Sequence, residues 1–286
     1  MAHLHEDKIK FLEETANRIR YDTIEMVIHA GSGHIAGPLD MADIFTLMYF
    51  HVLNHDPQNP DWPERDRLIL SNGHICPVPY SAMAHAGYFP VKELKALRQF
   101  GSRLQGHPHR ASLPGLETTS GPLGSGLSQA VGMAMAALMD NKTNYFFCLT
   151  SDAEHDAGNT WEAAMLAGRE KLWNLIGIID RNNIQIDGMT EDIMPLESLR
   201  AKYESFNWHV IEANGHDFEE MHSAIEEAKV IQEKPTVIIA HTIAGKGVGF
   251  MERKYPWHSK NFTPEEAKRA LDELRTLGGK IKSEHQ

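Results

Sequence analysis

Two residues capable of holding a metal ion stand out in the stretch "TSDAEHDAGNTWEAAMLAGREKLWNLIGIIDRNN", from Thr150 to Asn183. Asp152 follows the apolar run "YFFCLT", and Asn182, thirty residues on, follows "LIGIID". If the two runs are neighbouring parallel strands, their tips bring a carboxylate and an amide oxygen together, where ligands of open parallel sheets collect. Such hard oxygen donors suit Mg2+ or Ca2+, and Mg2+ fills the rest of its shell with water and phosphate oxygens. The same residues also read as a helix cap and an Asx-turn. Spacing alone leaves both readings open.

Three other groups could do chemistry. "TTSGPLGSGLSQAVGMA" sets Gly121, Gly124 and Gly126 ahead of a small-residue helix, a form that lets backbone N–H groups approach an anion. A flexible loop before a tightly packed helix looks the same. With no third glycine in place, the dinucleotide fingerprint is absent. "AGKGVGF" at 244–250 carries a lysine, Lys246, but Ala240 and Gly247 stand where a P-loop needs glycine and Ser or Thr. Nucleoside triphosphate hydrolysis is excluded on that ground, and a mobile loop remains. His34, His74, His107, His109 and His258 all lie in loops beside glycine, proline or an aromatic residue. Imidazoles there can donate to phosphate or move protons near neutral pH. In a chain with 17 histidines each alone reads as solvated, so the weight rests on the group.

The elements that must position these residues follow from periodicity. "EDKIKFLEETANRIRYDTIEMVIHA" places Ile9, Leu12, Ala16, Ile19, Thr23 and Met26 on one helical face. A second helix is expected over "MADIFTLMYFHVL" with Asp40 as its N-cap, and another over "VKELKALRQF". The run 68–70 reads as a short strand before "SNGH". From Leu127 onward helices alternate with the strands "YFFCLT", "LIGIID", "WHVIEA" and "TVIIAHT", and "TPEEAKRALDELRTLGG" forms a last helix. Alternation of this kind predicts βαβ units, hence a three-layer α/β/α fold with a mainly parallel sheet, in one domain over residues 1–286.

Composition narrows the function classes. The 286 residues are 42% hydrophobic with a net charge of −11, so no broad nucleic-acid footprint is expected and an anionic ligand must be met by local chemistry. Cys76 and Cys148 sit in apolar sequence and suggest no disulfide framework. The charged N-terminus is unlike a signal peptide and no apolar run is long enough for a membrane span, so a cytoplasmic location is expected.

Taken together, "GSGHIAGPLDMADIF", "DRLILSNGH", "GLETTSGPLGSGLSQAVGMA", "SDAE", "NTWEAAMLAG", "LIGIIDRNNIQIDG", "WHVIEANGHD" and "KPTVIIAHTIAGKG" resemble, in order, the N-terminal diphosphate-binding part of transketolase, over roughly residues 6 to 260. The resemblance implies thiamine diphosphate with Mg2+ (or Ca2+), the metal held by Asp152, Asn182 and the carbonyl of Ile184. It assigns His74, the Gly121-Pro122-Leu123 turn, Ala153 and Lys246 to the cofactor, with the Lys246 loop closing near the diphosphate. His34, His107 and His258 would assist proton transfers and bind sugar hydroxyls. The implied activity is two-carbon ketol transfer from a ketose phosphate to an aldose. Because the family's pyrimidine-binding and C-terminal domains have no counterpart here, the chain is expected to act as one half of a split enzyme, two copies with two of a partner. The alternatives are an α-type subunit of a 2-oxo acid dehydrogenase and a weakened cofactor-binding subunit. The family has Gly-Asp-Gly where this chain has Ser151-Asp152-Ala153, so the Ala153 methyl is expected to crowd the diphosphate. Asp40 replaces a family glycine, and Pro79 requires a helix that starts near Pro77 or is kinked.

Overall fold

The computed structural model describes residues 3–276. Five strands, β1 (Arg67–Leu70), β2 (Phe146–Ser151), β3 (Leu175–Arg181), β4 (His209–Asn214) and β5 (Thr236–His241), form one all-parallel sheet in the order β1-β2-β3-β5-β4. Every residue of β2 and β3 is buried, as their unbroken apolar runs require of strands covered on both faces. Side chains alternate between two cores: Phe147 and Leu149 of β2 face one, Phe146 and Cys148 the other.

The first core is covered by α1 (Glu6–Ala30), α2 (Ala36–Asp40), α3 (Ala42–Leu47), α4 (Pro77–His85), α9 (Phe218–Val230) and α10 (Pro264–Thr276). On the other side lie α5 (Ser125–Met139), α6 (Gly158–Glu170) and α8 (Leu199–Ser205), while the short α7 (Thr190–Ile193) follows β3. The expected α/β/α layering is therefore present. In α1, Leu12, Ala16, Ile19, Thr23 and Met26 are buried, and Gly31, at φ 65°, ends the helix in the left-handed region. Small residues bring α6 close to the 206–208 turn: a methyl at Gly168 would overlap the Phe206 carbonyl oxygen.

Two local expectations are corrected, and a third, for Pro79, is met. Asp40 caps nothing: it is the last residue of α2, and the expected second helix is split into α3 and a π-turn at Met48–Val52. The segment Val91–Ala96 is a 3₁₀ helix, stopped where Arg98 adopts φ 58° and donates its N–H to the Leu104 carbonyl at 2.9 Å. Pro79 needs no kink, because α4 begins at Pro77 and the first turn has no N–H bonds to lose. Of the expected last helix, Leu277, Gly278 and Gly279 lie outside the described residues. Among the described residues no helix is long and apolar enough to cross a membrane.

Candidate active site

The register Ser151↔Asp180 puts the tips of β2 and β3 side by side, and the Asp152 N–H bonds the Asp180 carbonyl at 3.1 Å. Asp152 is fully buried. Its Oδ1 accepts from the Ala153 N–H at 2.7 Å, capping the 3₁₀ turn Ala153–Asp156; its Oδ2 accepts from the Asn183 N–H at 2.9 Å and from Arg181 Nη1 at 3.0 Å. Three of about four lone-pair positions are thus taken. Burial pushes the carboxyl up to about 6 even though Arg181 opposes it. The Asn182 Oδ1 accepts from the Ile184 N–H at 3.0 Å in an Asx-turn, and its Nδ2 donates to Asp180 at 2.8 Å and to Asp40 at 3.1 Å. Asp40 and Asp180 are both buried. Burial pushes both carboxyls up, helped at Asp40 by the charge of Asp180 and at Asp180 by that of Asp152. Asp40 Oδ1 has no partner.

Three histidines converge above these tips. His34 follows the end of α1, His74 lies in the 3₁₀ turn Gly73–Ile75, and His258 ends the 3₁₀ turn Tyr255–His258. Their ring centroids are 4.9 Å (His34–His74), 5.1 Å (His34–His258) and 5.1 Å (His74–His258) apart. Burial, reinforced for His34 and His74 by the neighbouring imidazoles, lowers all three, His34 to about 4. At neutral pH they are uncharged rings that both donate and accept. His107, also lowered by burial, stands over Gly121, where a methyl would lie 3.8 Å from its ring. His109 turns away and bonds Ser112 Oγ at 2.7 Å.

A cavity of about 360 Å³ joins these groups. His34, His74, His107 and His258 line it, with Gly121 and Leu123 on one side and Ala153, Asn182 and Ile184 on another. Asp152 lies just behind Ala153, and neither it nor Pro122 is part of the lining. Lys246 is also absent from the lining: its loop is buried, not open, and the ammonium has no hydrogen-bond partner. The two loops carrying His74 and Gly121 press together, with an added methyl at Gly73 meeting Ser120 Oγ at 2.7 Å and the Gly121 nitrogen at 3.0 Å. Both polar atoms of Asn72 and the hydroxyl of Ser120 are buried there without partners, as is His34 Nδ1. Of these residues His34 lines the cavity, where an unsatisfied group leaves a place for a polar ligand.

The glycine loop holds a different anion from the one expected. Glu154, fully buried, accepts from Ser71 Oγ at 2.6 Å, the Gly124 N–H at 2.7 Å and the Ser151 N–H at 2.8 Å, while Ser71 Oγ accepts from the Gly126 N–H at 3.0 Å. The protein's own carboxylate therefore occupies the N-terminus of α5, leaving only the Gly121–Leu123 turn to face the cavity. Sequence reasoning missed Glu154, and its one signal was an acid in the turn directly after a buried strand. Arg181 was missed too. It bonds Asp152, Thr190 Oγ1 at 2.9 Å, Glu191 at 2.6 Å and Glu197 at 2.9 Å, tying the segment after β3 to the site.

The donor set offers a carboxylate with one free position, an amide oxygen and the Ile184 carbonyl, chemistry that fits a hard divalent ion. Among the described residues no group of three His, Cys, Asp or Glu could hold a metal by itself.

Comparison with known proteins bears on this arrangement. The family described as "Transketolase, thiamine diphosphate binding domain" matches residues 12–275. A 6-deoxy-6-sulfo-D-fructose transketolase subunit from Clostridium sp. (strain MSTE9) is 44% identical, covering 93% of this chain and 97% of that protein. An apulose-4-phosphate transketolase subunit from Phocaeicola vulgatus is 37% identical over 97% of this chain and 99% of its own length. Among solved structures, transketolase from Leishmania mexicana superposes with a TM-score of 0.87 at 35% identity, covering 92% of this chain but 41% of that one. The match to the Campylobacter jejuni transketolase is similar, with a TM-score of 0.87 at 37% identity and 44% of that chain covered. The chain thus spans about two-fifths of these longer enzymes.

Proposed function

This chain belongs to the transketolase family, and from that premise we propose that it is the cofactor-binding subunit of a ketol-transferring enzyme divided between two chains. The observation that carries the reading is the set of three uncharged imidazoles, about 5 Å apart, above strand tips bearing Asp152 and Asn182. Bound thiamine diphosphate would supply the nucleophilic carbon and the electron sink for moving a two-carbon unit. His34 and His258 hold or release protons at the sugar hydroxyls, and their lowered basicity keeps them able to accept. His107 meets the sugar at the cavity mouth. His74 and the Gly121-Pro122-Leu123 turn pack on the cofactor.

Mg2+ is to be held by Asp152, Asn182 and the Ile184 carbonyl, with Arg181 orienting Asp152 in the manner of an outer-shell partner. For Lys246, a role in pairing with the diphosphate is supported by its unpartnered buried ammonium. Ala153 lines the cavity where the family has glycine, so its methyl faces the cofactor. The relatives named as subunits, with nearly their whole length covered, support a partner chain bearing the pyrimidine-binding domain, in an α2β2 assembly. Sugars named for those relatives carry a sulfonate or a phosphate, which supports a ketose with a terminal oxyanion as substrate. Two buried free thiols, Cys76 and Cys148, support a cytoplasmic setting.

The test is co-expression with the partner, followed by calorimetry with thiamine diphosphate and Mg2+ and an assay of ketol transfer. Saturable binding together with transfer is expected. A complex that binds the cofactor yet transfers nothing would overturn the assignment.

A further inference from the structure

Asn182 lines the cavity, and the partners of its nitrogen decide which atom of the amide can meet a cation. Nδ2 carries two hydrogens and has two acceptors, Asp180 Oδ2 at 2.8 Å and Asp40 Oδ2 at 3.1 Å. Oδ1 accepts from the Ile184 N–H at 3.0 Å, which uses one of its two lone pairs. Turning the amide over would set Oδ1 against two carboxyl oxygens and Nδ2 against an N–H. Only one of the two orientations is satisfied.

The two carboxyls reach Asn182 by different routes. Asp180 lies two residues earlier in β3, and Thr242 Oγ1 steadies it by donating to its Oδ1 at 2.5 Å. Asp40 ends α2, 142 residues away along the chain. That short helix is pinned on several sides. The Ile35 N–H bonds the His258 carbonyl at 3.4 Å, the Gly245 N–H bonds the Ala36 carbonyl at 3.1 Å, and Arg20 Nε bonds the Leu39 carbonyl at 2.9 Å. A methyl on Gly37 would come within 2.8 Å of Ile75 Cγ2, so α2 has little room to shift. Asp40 itself is wholly buried and caps no helix. Of its oxygens, Oδ2 takes the Asn182 amide and Oδ1 has no partner. Burying a carboxyl is costly, and the bond to Asn182 is what this one does there.

We propose that Asp40 is a positioning residue: with Asp180 it clamps the NH2 group of Asn182, so that Oδ1 is the atom presented to a divalent cation. Asn182 as a Mg2+ ligand is the reading on which this rests.

The experiment compares wild type with Asp40→Leu, which keeps the volume without an acceptor, and Asp40→Asn, which keeps an acceptor oxygen without the acid. Each is assembled with the partner chain, and calorimetry measures Mg2+ affinity at saturating thiamine diphosphate. Removing the outer partner of a metal ligand weakens the metal about 10- to 100-fold, and that loss is expected in Asp40→Leu. Asp40→Asn should stay within about threefold of wild type, because its oxygen still accepts. Equal losses in both variants would mean that Asp40 acts by charge alone. That result, or no loss in Asp40→Leu, would overturn the proposal.

NMR of the Asn182 side-chain NH2 group in the metal-free full chain, assigned by its disappearance in Asn182→Ser, reads the clamp directly. Both hydrogens should resonate downfield, as bonding to carboxyl oxygens requires. One should return upfield in Asp40→Leu and stay downfield in Asp40→Asn. If that pattern is seen and no form binds Mg2+, the clamp stands and the metal reading alone falls. An NH2 signal unchanged in Asp40→Leu refutes the clamp and leaves the metal reading intact. Should Asp40→Leu not fold, as judged by circular dichroism, Asp40→Ala takes its place in both measurements.

Discussion

Removing the Glu154 carboxylate is the sharpest test of how the site is held. Three donors end on it: Ser71 Oγ from the loop before His74, the Gly124 N–H at the start of α5 and the Ser151 N–H at the tip of β2. Hydrogen bonds to a charged acceptor are worth about 1.5–3 kcal/mol each, so the three sum to roughly 5–9 kcal/mol before the cost of burying the charge. That cost is real, since burial raises the Glu154 carboxyl above its ordinary value. In Glu154→Ala the Gly124 and Ser151 N–H groups are left buried without an acceptor, and a net loss of about 3–5 kcal/mol is expected. With an unfolding entropy of about 2 cal/mol/K per residue, this corresponds to a Tm lower by roughly 5–8 °C. Glu154→Gln should fall between, because one amide oxygen can accept from two donors while its NH2 must face another. Thermal unfolding by circular dichroism reads the stability, and calorimetry reads thiamine diphosphate affinity, which should weaken as the His74 and Gly121 loops lose their common anchor. An alanine variant within about 1 kcal/mol of wild type, with unchanged affinity, would refute this reasoning.

Other outcomes can be checked alongside it. Gly168→Ala drives a methyl into the Phe206 carbonyl and should cost about 3 kcal/mol in chemical denaturation with no direct effect on the site. Asp152→Asn removes the carboxylate of the proposed metal-binding set, and Mg2+-dependent cofactor affinity should fall at least about 10- to 100-fold by calorimetry; an unchanged value would exclude it as a ligand. For pH, His34 is lowered to about 4 while the unfolded chain protonates near 6.5, so the unfolded state binds more protons between those values. That contribution to stability is lost as pH falls from about 6.5 to 4, and His34→Phe should show a shallower decline of Tm over this window than wild type.

The architecture was legible because it is written in local periodicity. Unbroken apolar runs such as "LIGIID" can only be satisfied by strands covered on both faces, and the amphipathic repeat of α1 fixes its buried stripe. Adjacency of Asp152 and Asn182 follows from the same alternation, and His34, His74, His107 and His258 line one cavity with Asn182 although up to 224 positions separate them along the chain. Local rules fail where a distant partner intervenes. The position of Asp40 before a helical pattern suggests a cap, but its carboxyl is drawn to Asn182, 142 residues away. The 91–100 helix is cut short by the Arg98–Leu104 bond. Glycines around Lys246 suggest an open loop, whereas packing buries it.

From sequence alone came the layers, the strand tips and the kinds of side chain delivered to them, because each depends on the energetics of a short stretch of chain. Tertiary structure decided which buried polar groups satisfy one another: Glu154 across 83 residues with Ser71, Arg181 with Asp152, Asn182 with Asp40. A buried donor or acceptor must find a partner wherever folding places one, and no pattern along the chain encodes that choice.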